Sequence, residues 1–158
     1  MSANTTMVFG STPMLLVVST SVCVFCEIVA GCSDAELVLE SEHCLGFLDI
    51  RPLFPGHCLL IPRGHVETLP ELSEDLVAPL FLETRLLSKA VPAAMGAQGS
   101  FIAMNNKVSQ SVPHLHIHIV PRTKGDGLRG FFWPRTTYDD GEAEEYADRL
   151  RTVLEDLG

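Results

Sequence analysis

Three of the six histidines in this chain fall within five residues, at His114, His116 and His118. They lie in the run Gln110-Ser111-Val112-Pro113-His114-Leu115-His116-Ile117-His118-Ile119-Val120-Pro121-Arg122. In an extended strand alternate side chains point to opposite faces, so the spacing predicts one face of imidazoles and one of Leu115, Ile117 and Ile119. Pro113 and Pro121 bracket the strand, where a missing ladder donor does least harm. Three imidazoles on one face admit three readings. They are a polar face on which histidine happens to recur, a three-histidine metal site with an open position for water, or nucleophilic attack on phosphorus by a central imidazole. In the last, neighbouring groups fix the tautomer of the nucleophile and bind the phosphoryl oxygens. The flanks favour it. The loop Asn105-Asn106-Lys107-Val108-Ser109, followed by Gln110 and Ser111, carries amides, hydroxyls and an ammonium group that suit a phosphate, and no nearby carboxylate offers itself as base for a metal-bound water.

The elements that must hold this strand read as an antiparallel meander. Glu36–Glu40 and Cys44–Asp49 are strands separated by the hairpin-length Ser41-Glu42-His43. Arg51-Pro52-Leu53-Phe54-Pro55-Gly56 is a turn into a strand from His57 to Ile61, on which His57 shares a face with Leu59 and Ile61. Ser73, followed by Glu74 and Asp75, caps a helix running to about Ala90. Its apolar face of Leu76, Val77, Leu80, Phe81 and Leu87 spills over to Leu82 and Leu86, which predicts burial on two sides and a subunit interface. Pro79 predicts a kink or a late helix start. Ser100–Met104 is a strand delivering the polar loop beside the histidines. Residues 123–135 form a glycine-rich loop with bases and three aromatics, which either closes over a ligand or caps the core. Asp139 or Asp140 caps an amphipathic helix bearing Ala143, Tyr146, Ala147, Leu150, Val153, Leu154 and Leu157.

With 158 residues, the chain predicts one domain over 21–158, of which 137–158 is a helical tail, after a flexible extension over 1–20. A hydrophobic fraction of 46% with 20% charged residues is that of a compact soluble protein, and no window approaches a membrane span. A net charge of −9 argues against a nucleic-acid backbone as partner and leaves room for a small phosphorylated substrate. No Lys or Arg precedes Arg51, which argues against a secretory signal. Five cysteines without framework spacing fit a reducing cytoplasm. Cys23-Val24-Phe25-Cys26 is either a redox motif or half of a zinc site, and no βαβ pattern follows to support the former; unmetallated thiols packed as small hydrophobes remain the alternative to zinc.

The triad run resembles the signature of the histidine triad family. The resemblance extends to Phe47-Leu48-Asp49-Ile50 and to Gly56-His57-Cys58-Leu59-Leu60-Ile61-Pro62-Arg63-Gly64-His65, covering about residues 22–125. It implies an α+β fold paired into a continuous sheet across a homodimer. It also implies hydrolysis or transfer at the α-phosphate of adenosine nucleotides, such as nucleoside phosphoramidates or dinucleoside polyphosphates, through a nucleotidyl-histidine. On this reading His116 is the nucleophile and His118, Gln110 and Ser111 bind the phosphoryl oxygens. Phe25, Ile28, Asp49, His57, Asn105 and Lys107 contact the nucleotide, with Asp49 on the ribose and His57 near sugar and phosphate. Zinc-containing members of the family imply a structural ion on Cys23, Cys26, His65 and His114, and no catalytic metal. The loop from Asn105 to Gln110 looks shorter than the family's common form and Pro113 is unusual there, which leaves the leaving-group pocket open.

Overall fold

The computed structural model describes residues 23–128 and 137–157; the N-terminal extension and most of the 123–135 loop lie outside these. The backbone forms two compact units, Met1–Lys124 and Gly125–Gly158. In the first, a short helix α1 (Val24–Val29) precedes strands β1 (Leu37–Glu40), β2 (Cys44–Leu48) and β3 (Cys58–Pro62). A long helix α2 (Glu74–Met95) leads to β4 (Gly99–Ala103) and β5 (Ile117–Arg122). The five strands make one antiparallel sheet in the order β1-β2-β3-β5-β4, the α+β meander that the strand spacing predicts.

Both faces of the sheet are covered. On one, Cys58, Leu60, Ile117 and Ile119 pack with Leu80, Leu87 and Val91 of α2; on the other, Leu45, Phe47, Leu59 and Ile61 pack with Phe25 of α1. Two covered faces explain why β2, β3 and β5 read as nearly unbroken apolar runs. β5 begins at Ile117, so the predicted strand over His114–Ile119 is shorter than its period-2 pattern suggests. The reason lies in its partner. β3 ends at Pro62, which has no N–H, and the Pro62 carbonyl lies 2.9 Å from Nε2 of His114; the Leu115 N–H meanwhile donates to the Val66 carbonyl. His118 stands on the strand, while His114 and His116 sit in the irregular segment that enters it; the alternation nevertheless holds, with Leu115, Ile117 and Ile119 in the core under α2 and His114 and His116 against Phe25 on the other face.

α2 starts at Glu74 after Ser73, which excludes a late start, and passes Ala90 to end at Met95. Pro79 and Pro92 lie inside it, each removing one helical hydrogen bond. Gly96 closes it in the left-handed conformation, at φ 64°. Within this chain only the face of Leu80, Thr84, Leu87 and Val91 is buried, and Phe81, Leu82 and Leu86 face solvent. The second unit holds α3 (Glu142–Leu157), whose apolar positions Leu150, Val153, Leu154 and Leu157 are exposed. Asp139 donates its N–H to Glu142 Oε2 at 2.9 Å, at the helix start the sequence predicts.

Candidate active site

The histidine rings are locked by neighbours whose chemistry fixes their protons. Nδ1 of His116 lies 2.7 Å from the carbonyl oxygen of His114. A carbonyl only accepts, so Nδ1 carries the proton and Nε2 keeps its lone pair. His114 is held the other way: Nε2 donates to the Pro62 carbonyl, leaving Nδ1 as the bare nitrogen. At His57 the Leu53 N–H donates to Nδ1 at 3.2 Å, which puts the proton on Nε2, and Nε2 donates to Nδ1 of His118 at 3.0 Å. His118 in turn carries its proton on Nε2. The irregular entry to β5, the end of β3 and the turn before it thus set four tautomers without a carboxylate.

Burial favours the neutral rings. His118 is pushed down to about 4, first by burial and then by the neighbouring His116 and His57. His57 is lowered by burial against the opposing pull of Asp49, whose Oδ2 is 3.6 Å from Nδ1. His114 is also lowered, chiefly by burial. Phe25 stands edge-on to His116 with ring centroids 5.4 Å apart, and to His114 at 5.9 Å, so α1 fixes the plane of the central imidazole.

His116 and His118 open into a cavity of about 410 Å³, within the range of small-molecule sites. Its floor is a row across the sheet: His118 is opposite Leu59, and Leu59 is opposite Phe47. Phe25, Ile28, Asp49 and Ser111 line it, and so do Asp34, Ala35, Ile50 and Arg51, to which the sequence motifs assign no role. His57 does not reach it; the ring is buried behind His118, so its position near a ligand's sugar and phosphate becomes a place in the second row. Gln110, Asn105 and Lys107 also lie off the cavity wall. Gln110 donates from Nε2 to the Glu67 carbonyl at 2.7 Å and accepts the Lys107 N–H at 2.8 Å, and Asn105 donates to the Ser109 carbonyl. These side chains tie the loop in which Lys107 and Ser109 adopt φ of 69° and 61°. The His57–His118 contact joins residues 61 apart and depends on strand register, for which the local sequence carries no signal.

A second cluster lies behind His114. Cys26 Sγ is 3.3 Å from His65 Nδ1, and His114 Nδ1 is 3.5 Å from Cys23 Sγ and 3.7 Å from Cys26 Sγ. Ligand atoms around tetrahedral zinc, at bonds near 2.1 and 2.3 Å, stand roughly 3.4–3.8 Å apart, so this donor set fits the ion, with His114 offering the nitrogen its backbone contact leaves bare. Burial, then the hydrogen bond and charge of Cys23, raise the Cys26 thiol; a bound cation would displace that proton. Among the described residues the three triad histidines do not converge on a common point, which removes the three-histidine metal reading. All five cysteines are free, and no helix among the described residues is long and apolar enough to cross a membrane.

The HIT domain matches residues 31–125 of this chain. The chain is 39% identical to the hit protein of Bacillus subtilis over 138 residues, 85% of this chain and 94% of that one. It is 35% identical to the adenosine 5′-monophosphoramidase of Schizosaccharomyces pombe over 84% of this chain and 98% of that one. A zinc-bound histidine triad family protein from Mycobacterium smegmatis superposes with a TM-score of 0.65 at 34% identity, covering 87% of this chain and 98% of the other. The chain belongs to the HIT domain family of histidine triad proteins.

Proposed function

We propose that the protein is a nucleotide hydrolase or nucleotidyl transferase that acts at the α-phosphorus of nucleoside 5′-phosphoramidates or dinucleoside polyphosphates. The observation that carries this reading is the 2.7 Å contact between His116 Nδ1 and the His114 carbonyl, which leaves Nε2 of a cavity-lining imidazole unprotonated. Nε2 attacks phosphorus, a P–N bond to His116 forms, and the bond to the leaving group breaks. The neutral His118 donates Nε2–H to the non-bridging oxygens as charge builds, and Ser111 does the same from the cavity rim; one such donor contributes about 3 kcal/mol. Water then cleaves the P–N bond and frees the nucleotide. Asp49 is the acceptor for the ribose diol, with Phe25 and Ile28 against the base. Gln110, Asn105 and Lys107 act through the loop they order.

Cys23, Cys26, His65 and His114 would hold zinc, and the ion would supply structural cross-linking of α1 to the segment that enters β5. The resident role of these residues in the reaction is to fix the carbonyl to which His116 is tied. A homodimer is supported by the exposed Leu82 and Leu86 of α2 and by β4 at the sheet edge, and a reducing cytoplasm by five free thiols. The phosphoramidase named in Schizosaccharomyces pombe supports the substrate class. Steady-state release of AMP and ammonia from adenosine 5′-phosphoramidate tests the reading: wild type turns over and His116→Ala does not. A wild type that binds AMP without turning over would instead make the protein a nucleotide-binding module.

A further inference from the structure

We infer that Asp34 reads the base and selects guanine over adenine, an inference that rests on the nucleotide reading of the cavity and departs from the adenosine substrates the family resemblance implies. The sheet register orders the cavity. His118 faces Leu59, Leu59 faces Phe47, and Phe47 faces Leu37 of β1. Neighbouring strands lie about 4.8 Å apart, so β1 is roughly 14 Å from the strand of His118. That is about the span of a nucleoside monophosphate from phosphorus to the far edge of its base.

Asp34 and Ala35 lead into β1 and line the same cavity as Asp49, His116 and His118. The lining also includes Ile28, Ala35, Phe47, Leu48 and Ile50, apolar surfaces on which a purine stacks. Among the described residues the Asp34 carboxylate has no hydrogen-bond or ion-pair partner. An ionised carboxylate only accepts. Guanine presents adjacent N1–H and N2–H₂ donors that match its two oxygens. Adenine presents the N1 lone pair beside N6–H₂, so one oxygen faces another acceptor. A matched bidentate pair discriminates by roughly 10- to 100-fold. Arg51 lines the cavity too, and its guanidinium is likewise unpaired, offering donors that suit guanine O6 and N7.

The experiment is calorimetric titration of GMP and AMP into wild type, Asp34→Asn and Asp34→Ala, with kcat/KM measured in parallel on guanosine and adenosine 5′-phosphoramidates. Asp34 is exposed, so both variants fold. Wild type is expected to bind GMP at least tenfold more tightly than AMP; Asp34→Ala brings the ratio near one, losing GMP affinity and relieving the clash with adenine N1, and Asp34→Asn, whose amide can both donate and accept, shifts it further toward AMP. Equal affinities in wild type, tighter AMP, or a GMP preference that survives in Asp34→Ala would each overturn the inference. Equal turnover of both phosphoramidates overturns base selection and leaves the enzyme reading standing. The predicted GMP preference without turnover of either does the reverse.

Discussion

Nε2 of His57 lies 3.0 Å from Nδ1 of His118, and the proton between them belongs to His57 because the Leu53 N–H occupies its other nitrogen. The buried ring therefore orients a donor it does not itself present to substrate. Replacing it tests a positioning role. His57→Ala is expected to lower kcat on adenosine 5′-phosphoramidate about a hundredfold, the low end of what a positioned proton donor supplies, with KM little changed. His57→Gln, whose amide nitrogen can donate to His118, restores part of the loss. A fall in stability alone, with kcat intact in the folded fraction, would contradict it.

Stability falls with acid in a defined window. The folded pKa of His118 is about 4 and that of His57 is lowered from 6.5, so the unfolded chain binds more protons between these values. The neutral rings stabilise fully above about pH 6.5, and this is lost as pH falls through the folded pKa near 4. After discounting for the partly exposed His118 ring, its share is on the order of 2 kcal/mol. Chemical denaturation at pH 7.5 and pH 4.5 measures it; His118→Phe is expected to flatten the difference, and an unchanged slope in that variant would refute the assignment.

The Cys₂His₂ cluster is expected to carry one zinc per chain after growth in zinc-supplemented medium, read by inductively coupled plasma mass spectrometry. Cys26→Ser is expected to lose the metal and several degrees of Tm, since an ion held there would cross-link α1 to the segment before β5. Its kcat falls far less than that of His116→Ala. Stoichiometric zinc retained in Cys26→Ser would place the ion elsewhere.

Gly56 sets the turn that delivers His57. Its φ is +86°, and an added Cβ would lie 2.5 Å from Cγ and Sδ of Met95 on α2. Gly56→Ala combines a left-handed alanine with a clash, and is expected to cost about 2 kcal/mol and several degrees of Tm. Thermal unfolding decides this, and an unchanged Tm would mean the turn relaxes freely.

What could be read from the sequence is what repeats locally. The period of Leu59 and Ile61, the hairpin-length gap before Cys44 and the histidine spacing are short-range patterns, and they carried the α+β meander; the Cys-x-x-Cys spacing alone left redox and zinc readings open, and the set of Cys23, Cys26, His65 and His114 came from the family resemblance. Distance defeated the rest. The start of β5 at Ile117 depends on Pro62, 55 residues earlier, ending its partner strand. The use of Gln110 inside its loop depends on the Glu67 carbonyl, and the His57–His118 contact depends on register between β3 and β5. Asp34 gave no signal because a single carboxylate before a strand looks like any solvated acid until the sheet order places it on the cavity wall.

The proposed reaction turns on His116 as its nucleophile. Rapid acid-free quenching of wild-type protein with adenosine 5′-phosphoramidate, followed by intact-mass measurement beside His116→Ala and His118→Ala, tests it most directly. Nucleophilic attack by His116 gives one acid-labile adenylyl adduct in wild type, slower accumulation in His118→Ala, and none in His116→Ala. An adduct that persists in His116→Ala, or AMP released by wild type with no adduct at any quench time and no burst, would contradict it.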